Sequence, residues 1–121
     1  MLKTEKRRDQ RSAASQMIRG PSDYSDDNRL IDVSDLFKIM GDPSRMRMIM
    51  ALLEQEYCVH ELAELIETSQ SAVSHQLRIM RQARLVRYRR DGKHSYYSLQ
   101  DDHVRQLVQL ALDHVNELYA I

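Results

Sequence analysis

Between Val59 and Leu99 the chain runs through two short helical patterns and straight into a β-rich segment broken by Asp91-Gly92. Few folds accommodate that order. Val59, Leu62, Ala63 and Ile66 recur at helical spacing, which predicts a short helix over 59–66. Glu67-Thr68-Ser69-Gln70 is a tight connection, and Ser69 is a suitable N-cap for a second helix over roughly 70–83. Two helices and a turn in so short a span have the size of a helix-turn-helix. Leu85–Arg90 and Lys93–Leu99 then flank Asp91-Gly92, a dipeptide that favours a hairpin turn because both turn positions need positive φ. Val86, Tyr88, Tyr97 and Leu99 supply the alternating apolar side chains, which leaves the other face to the arginines. The fold class expected is mainly α with a β-hairpin wing, a winged helix-turn-helix.

The flanking segments complete one domain. Residues 1–28 are polar and lack periodicity, which predicts a disordered arm, while 29–121 form the winged helix-turn-helix and dimerisation domain. Leu30, Val33, Phe37 and Met40 predict a first helix ending near Gly41. Asp42 offers the next N-cap and Pro43 the first helical position, with Met46, Ile49, Met50 and Leu53 as the expected buried stripe. Methionine at such stripes fills core gaps. Asp101 or Asp102 can cap a last helix running to about Leu118. A single cysteine excludes an internal disulfide framework and suits a reducing compartment. No apolar run approaches membrane length, and MLKTEKRRDQR has no apolar core behind its charges. The expected setting is cytoplasmic, with no membrane partner and no small organic substrate.

Formal net charge is zero, but the charge is unevenly placed. Residues 71–94 hold Arg78, Arg81, Arg84, Arg87, Arg89, Arg90 and Lys93 against Asp91 alone, whereas 30–70 are predominantly acidic. A local cationic patch of this kind fits a polyanion. With Val73 set at zero on the fourth helix, Leu77, Met80 and Arg84 fall within about 40° of it. Ser71, Ser74, His75, Arg78 and Gln82 fall between about 100° and 200°. Hydroxyls, an imidazole and a guanidinium on the outward face can hydrogen-bond base edges and phosphates in a major groove. The candidate DNA-contacting residues are therefore Ser69, Gln70, Ser71, Ser74, His75 and Arg78 from the helix and Arg87, Arg89, Arg90 and Lys93 from the wing. Arg78 is the expected base reader.

Asp101, His103, His114 and Glu117 are metal-ligand types on the last helix. His103 and His114 point within roughly 20° of each other but stand about 16 Å apart along the axis, so one helix cannot bring both to one ion. Two antiparallel copies can, with Asp101 and His103 of one copy opposite His114 and Glu117 of the other. This arrangement implies a homodimer with two symmetry-related sites. Val104, Leu107, Val108, Ala111, Val115 and Leu118 form the apolar stripe that such pairing needs. Asp101 joins the ligand set only from the cap, where the backbone is not yet helical. Two imidazoles and two carboxylates in a closed tetrahedron suit Zn²⁺, two per dimer, with Co²⁺ as a substitute; Ni²⁺ wants more ligands and Cu⁺ wants sulfur.

Cys58 and His60 form a weaker second candidate for a softer metal and need two further ligands; the arm has no cysteine or histidine to supply them. A half-buried structural cysteine is the plainer role for Cys58. A zinc hydrolase needs an open coordination position and a general base, which a closed four-ligand site lacks. Ser74-His75 has no orienting acid. No enzymatic activity is expected. A DNA-binding dimer with a purely structural metal, or one answering another signal (Cd or Pb through Cys58, or Co or Ni), is the alternative.

Five segments carry a family resemblance: Gly-Asp-Pro-Ser-Arg at 41–45, Cys-Val-His-Glu-Leu at 58–62, Ser-Gln-Ser-Ala-Val-Ser-His-Gln-Leu at 69–77, Leu-Val-Arg-Tyr-Arg-Arg-Asp-Gly-Lys-His at 85–94 and Leu-Asp-His at 112–114. Over about 30–118 the chain resembles the ArsR/SmtB family of bacterial metal-responsive repressors, and its last helix resembles the zinc-sensing branch. The resemblance implies a dimer on an imperfect inverted repeat of operator DNA. It implies that metal at the last helix weakens that complex and releases transcription, commonly of zinc efflux or sequestration genes. Cadmium- and lead-sensing relatives pair arm cysteines with a Cys-x-Cys whose second position here is His60. It also implies an allosteric link in which the non-ligating nitrogen of His114 donates to the backbone carbonyl of Arg84.

Overall fold

A computed structural model describes residues 26–120. Most of the arm expected over 1–28 therefore lies outside the described residues, and the first helix already begins at Asp27. The chain divides after Met40 into two units. The first contributes α1 (Asp27–Met40). Of the expected stripe of α1, Met40 is buried, whereas Leu30, Val33 and Phe37 are each more than half exposed, as is Ile31.

The second unit holds α2 (Pro43–Leu52), β1 (Tyr57–Cys58), α3 (Val59–Leu65), α4 (Gln70–Gln82), β2 (Val86–Asp91), β3 (His94–Leu99) and α5 (Asp102–Tyr119). Asp42 caps α2 as expected, accepting from Arg45 N at 3.0 Å, with Pro43 at the first helical position. The buried face of α2 is Met48, Ile49 and Leu52 rather than the expected Met46, Ile49, Met50 and Leu53. Met50 is exposed, and Met46 and Leu53 are only half-buried. Both sets are helical in period, and on a helix this rich in methionine the phase is set by the neighbouring helices. Leu62 and Ala63 of α3, Val73, Leu77 and Met80 of α4, Leu85, Val86 and Leu99 complete the core with Val104 and Val108 of α5.

The sheet has the order β1–β3–β2, all antiparallel. β1 has only two residues, pairing Tyr57 with Tyr97 and Cys58 with Tyr96. So short a strand has no periodicity of its own to read. The hairpin is displaced by one residue from expectation. Asp91 pairs with His94, so the turn is Gly92-Lys93, and positive φ occurs at Gly92 (62°) but not at Asp91 or Lys93. Glycine at the first turn position alone meets the requirement of a primed hairpin turn. The register also corrects the expected facing of the arginines. Side chains alternate along a strand, so Arg87 and Arg89 share one face while Arg90 lies with Val86 and Tyr88 on the other.

Candidate nucleic-acid interface and metal-ligand residues

α4 begins where Ser69, extended at φ −76° and ψ 154°, accepts from Ala72 N at 3.1 Å through its hydroxyl. That hydroxyl also lies 3.3 Å from the Ser71 hydroxyl. Val73, Leu77 and Met80 anchor the helix with exposures of 1% or less. Ser71, His75, Arg78, Arg81 and Gln82 consequently face outward, and Ser74 is half-buried. Gln70 is turned toward α3, its Nε2 lying 3.2 Å from His60 Nδ1. Of the six helix residues expected at DNA, His75 and Arg78 thus point outward, as does Ser71 beside the Ser69 hydroxyl, while Ser69 and Gln70 have local partners that position the helix start.

Arg84 does not lie on the buried side of α4 as the helical projection placed it. The helix stops at Gln82, Ala83 caps it, and Arg84 is exposed at φ 59°. Leu85 N donates to Met80 O at 2.8 Å and Arg84 N to Arg81 O at 3.0 Å, the paired bonds of a Schellman closure. Arg84 is therefore the joint between the reading helix and the wing.

Arg87, Arg89, Arg90 and Lys93 are all exposed on the wing. Two residues that sequence reasoning left out of the interface organise it. Arg81 stacks on Tyr88, its guanidinium carbon 4.9 Å from the ring centroid, tying the end of α4 to β2. Glu56 receives Arg89, with Arg89 Nη2 donating to Oε1 at 2.6 Å. Neither pairing has a sequence signal, because each depends on the hairpin register. Arg45, at the start of α2, donates from Nη1 to Gln76 Oε1 at 3.1 Å and fixes α4 from the opposite side.

Asp101 is the N-cap of α5, extended at φ −162° and ψ −178°, and accepts from Val104 N at 3.1 Å. His103 Nδ1 lies 3.8 Å from Asp101 Oδ1, with its side chain 93% exposed. His114 and Glu117, three residues apart and hence neighbours on one helical face, are exposed further along α5. Among the described residues no three histidine, cysteine, aspartate or glutamate side chains gather within a single chain. The chain thus presents two pairs of candidate ligand residues at two levels of α5. Cys58 is buried at the end of β1, where its amide donates to Glu61 Oε1 at 2.9 Å. His60 is held between Gln70 and Glu64, whose Oε1 lies 3.6 Å from Nε2.

Residues 42–88, from the cap of α2 into β2, match the profile of bacterial regulatory proteins of the arsR family. The cadmium resistance transcriptional regulatory protein CadC homolog of Staphylococcus aureus is 41% identical over 92 residues, covering 75% of this chain and 76% of that one. The chain belongs to the arsR family. This arsR-family protein is also 51% identical over 85 residues to the transcriptional repressor SmtB homolog of Synechocystis sp., a match spanning 70% of this chain and 64% of the relative, less than two thirds of its length. The solution structure of apo-NmtR superposes with a TM-score of 0.70 at 34% identity, covering 89% of this chain and 85% of that one. Membership makes this arsR-family protein a transcriptional regulator and not an enzyme, with a winged helix-turn-helix as its DNA-binding unit. No helix among its described residues is long and apolar enough to cross a membrane.

Proposed function

We propose that this arsR-family regulator is a zinc-responsive repressor: a homodimer that holds operator DNA and lets go when Zn²⁺ occupies two inter-subunit sites. Each site would take Asp101 and His103 from one subunit and His114 and Glu117 from its partner. The observation that carries the reading is the split ligand set on α5: two exposed pairs at different levels, neither complete by itself. Beside them Leu110, Val115, Leu118 and Tyr119 leave 43–78% of their surfaces exposed. Apolar side chains exposed together along a helix call for a partner, and an antiparallel copy of α5 both covers them and completes the ligands. Two nitrogen and two oxygen donors fit Zn²⁺, which would cross-link the two helices when bound.

On the DNA side, Ser71, His75 and Arg78 would enter the major groove, with Arg87, Arg90 and Lys93 on the backbone beside it. Half-sites one helical turn apart need reading helices about 34 Å apart, so a small rotation of α5 against its partner misaligns them. Arg84 suits the carry-over from the family. Its carbonyl sits in the joint between α4 and the wing, where a hydrogen bond from His114 would connect ligand and reader. Regulated genes for zinc efflux or storage fit this reading. Cys58 is a less suitable ligand here, since it is buried at the head of α3.

The test is an operator titration with zinc and with chelator. Zinc should weaken the wild-type complex. His114→Ala should bind operator normally and ignore zinc, and loss of operator binding along with the response would refute the assignment. A complex strengthened by zinc would mark the ion as structural instead.

A further inference from the structure

Arg89, Tyr96 and Cys58 are register partners across β2, β3 and β1, so their side chains share one face of the sheet. Glu56, two residues before Cys58, continues that face at its outer edge. Arg89 lies over the Tyr96 ring, its guanidinium carbon 5.1 Å from the centroid, and reaches Glu56 on the far side. Arg89 Nε donates to Glu56 Oε1 and Oε2 at 3.0 and 3.1 Å, and Nη2 donates to Oε1 at 2.6 Å. Nη1 lies 3.8 Å from Asp91 Oδ2. Hydrogen bonding and charge from Arg89 hold the Glu56 carboxyl below its ordinary value, so the pair is ionised at neutral pH.

The other three wing cations differ. Among the described residues no carboxylate lies in ion-pair range of Arg87, Arg90 or Lys93. One of four cations on a surface suited to polyanions is already satisfied by the chain's own carboxylate. The fork geometry used is the one a phosphate accepts equally well. The clasp is open to solvent, with the Arg89 side chain 55% and that of Glu56 38% exposed, so an incoming group can reach it.

We infer that Glu56 is an internal stand-in for a backbone phosphate: it occupies Arg89 in the free protein and gives it up when duplex DNA arrives. The inference rests on the reading that the wing lies along the sugar-phosphate backbone. An exposed pair is held weakly, so exchange of carboxylate for phosphate is easy. Each exchange nevertheless loses the clasp. Glu56 thereby lowers affinity for any sequence, and it acts through Arg89 alone.

The test uses the full chain, freed of metal by chelator, and a labelled mixed-sequence duplex about three helical turns long, because phosphate contacts do not depend on sequence. Glu56→Gln should bind about two- to fivefold tighter at moderate salt. In an Arg89→Ala background the same change should have no effect. Unchanged or weaker binding by Glu56→Gln would overturn the inference, as would a gain that persists without Arg89, which would mark a general field effect. If Gln disturbs the loop, seen as lost helical ellipticity, Glu56→Asp supplies the same comparison, with a smaller gain of the same sign expected. Arg87→Ala and Arg90→Ala separate the two readings. If they weaken binding while Glu56→Gln does nothing, only the stand-in falls; if they too do nothing, the wing reading itself falls.

Discussion

Glycine at position 67 or 84 should make this protein more stable. Glu67 and Arg84 sit at φ 56° and 59°, each just past the end of a helix of the DNA-binding unit. Both helices end in the same way: Thr68 N bonds Ala63 O at 3.0 Å, as Leu85 N bonds Met80 O at 2.8 Å. This closure ordinarily employs glycine, and the chain has side chains at both positions. Left-handed backbone costs a non-glycine residue about 1–2 kcal/mol. Glycine brings an opposing entropic cost of about 0.5–1 kcal/mol. The net gain is about 0.5–1 kcal/mol for Glu67→Gly and the same for Arg84→Gly, and the sites share no hydrogen bond, so the gains should sum. Thermal unfolding followed by circular dichroism, at one fixed protein concentration because the midpoint of any self-associating protein depends on it, measures the effect. Each variant should shift the thermal midpoint upward by a few degrees. Lower midpoints for both would refute the strain argument. Arg84→Gly carries a second readout: it deletes the guanidinium but keeps the carbonyl. The zinc response proposed above should survive in it, and a stable variant that does not respond where the parent does would refute a coupling through the backbone.

Three further outcomes are expected. Arg78→Ala should cost about 1–3 kcal/mol in operator binding and relax discrimination at one base pair, measured by competition between operator and mutated duplexes. Leu118→Glu should place charge on the exposed apolar face of α5 and shift sedimentation toward monomer without loss of helix content. The Arg89 clasp makes a pH prediction: Glu56 titrates below its ordinary 4.5 in the folded state, so the clasp's stabilising contribution is full above that value and fades as pH falls through the lowered one. Wild type should therefore exceed Glu56→Gln in stability near neutrality, and the difference should vanish in acid.

The helix-turn-helix was legible because its signals agree. Val73, Leu77 and Met80 repeat at helical spacing behind a serine cap, and the face opposite them is polar. The hairpin was legible as a hairpin, but its turn was misplaced by one residue, since Asp-Gly and Gly-Lys both satisfy a primed turn and the choice belongs to strand pairing. The buried stripe of α2 is not legible, because three methionines and one isoleucine lie within residues 46–50 and only packing decides which turn inward. β1 was not seen at all: two residues hydrogen-bond to β3 because β3 is there. The same holds for Glu56 with Arg89 and Arg81 with Tyr88, whose partners are distant in sequence. On α5 the residue types and their spacing could be read, together with the cap at Asp101; pairing between subunits is a matter for the experiments above.

α2 supplies none of the residues proposed for the groove or for the ion, yet it is moored at both ends by arginines. Arg105 of α5 donates to Leu53 O at 2.7 Å, just past its C-terminus, and Arg45 at its head donates to Gln76 of α4. The helix is in effect a strut between α5 and α4. Under the proposed function, adjusting its length or stiffness would retune how strongly metal and DNA oppose each other while leaving each intrinsic affinity where it was.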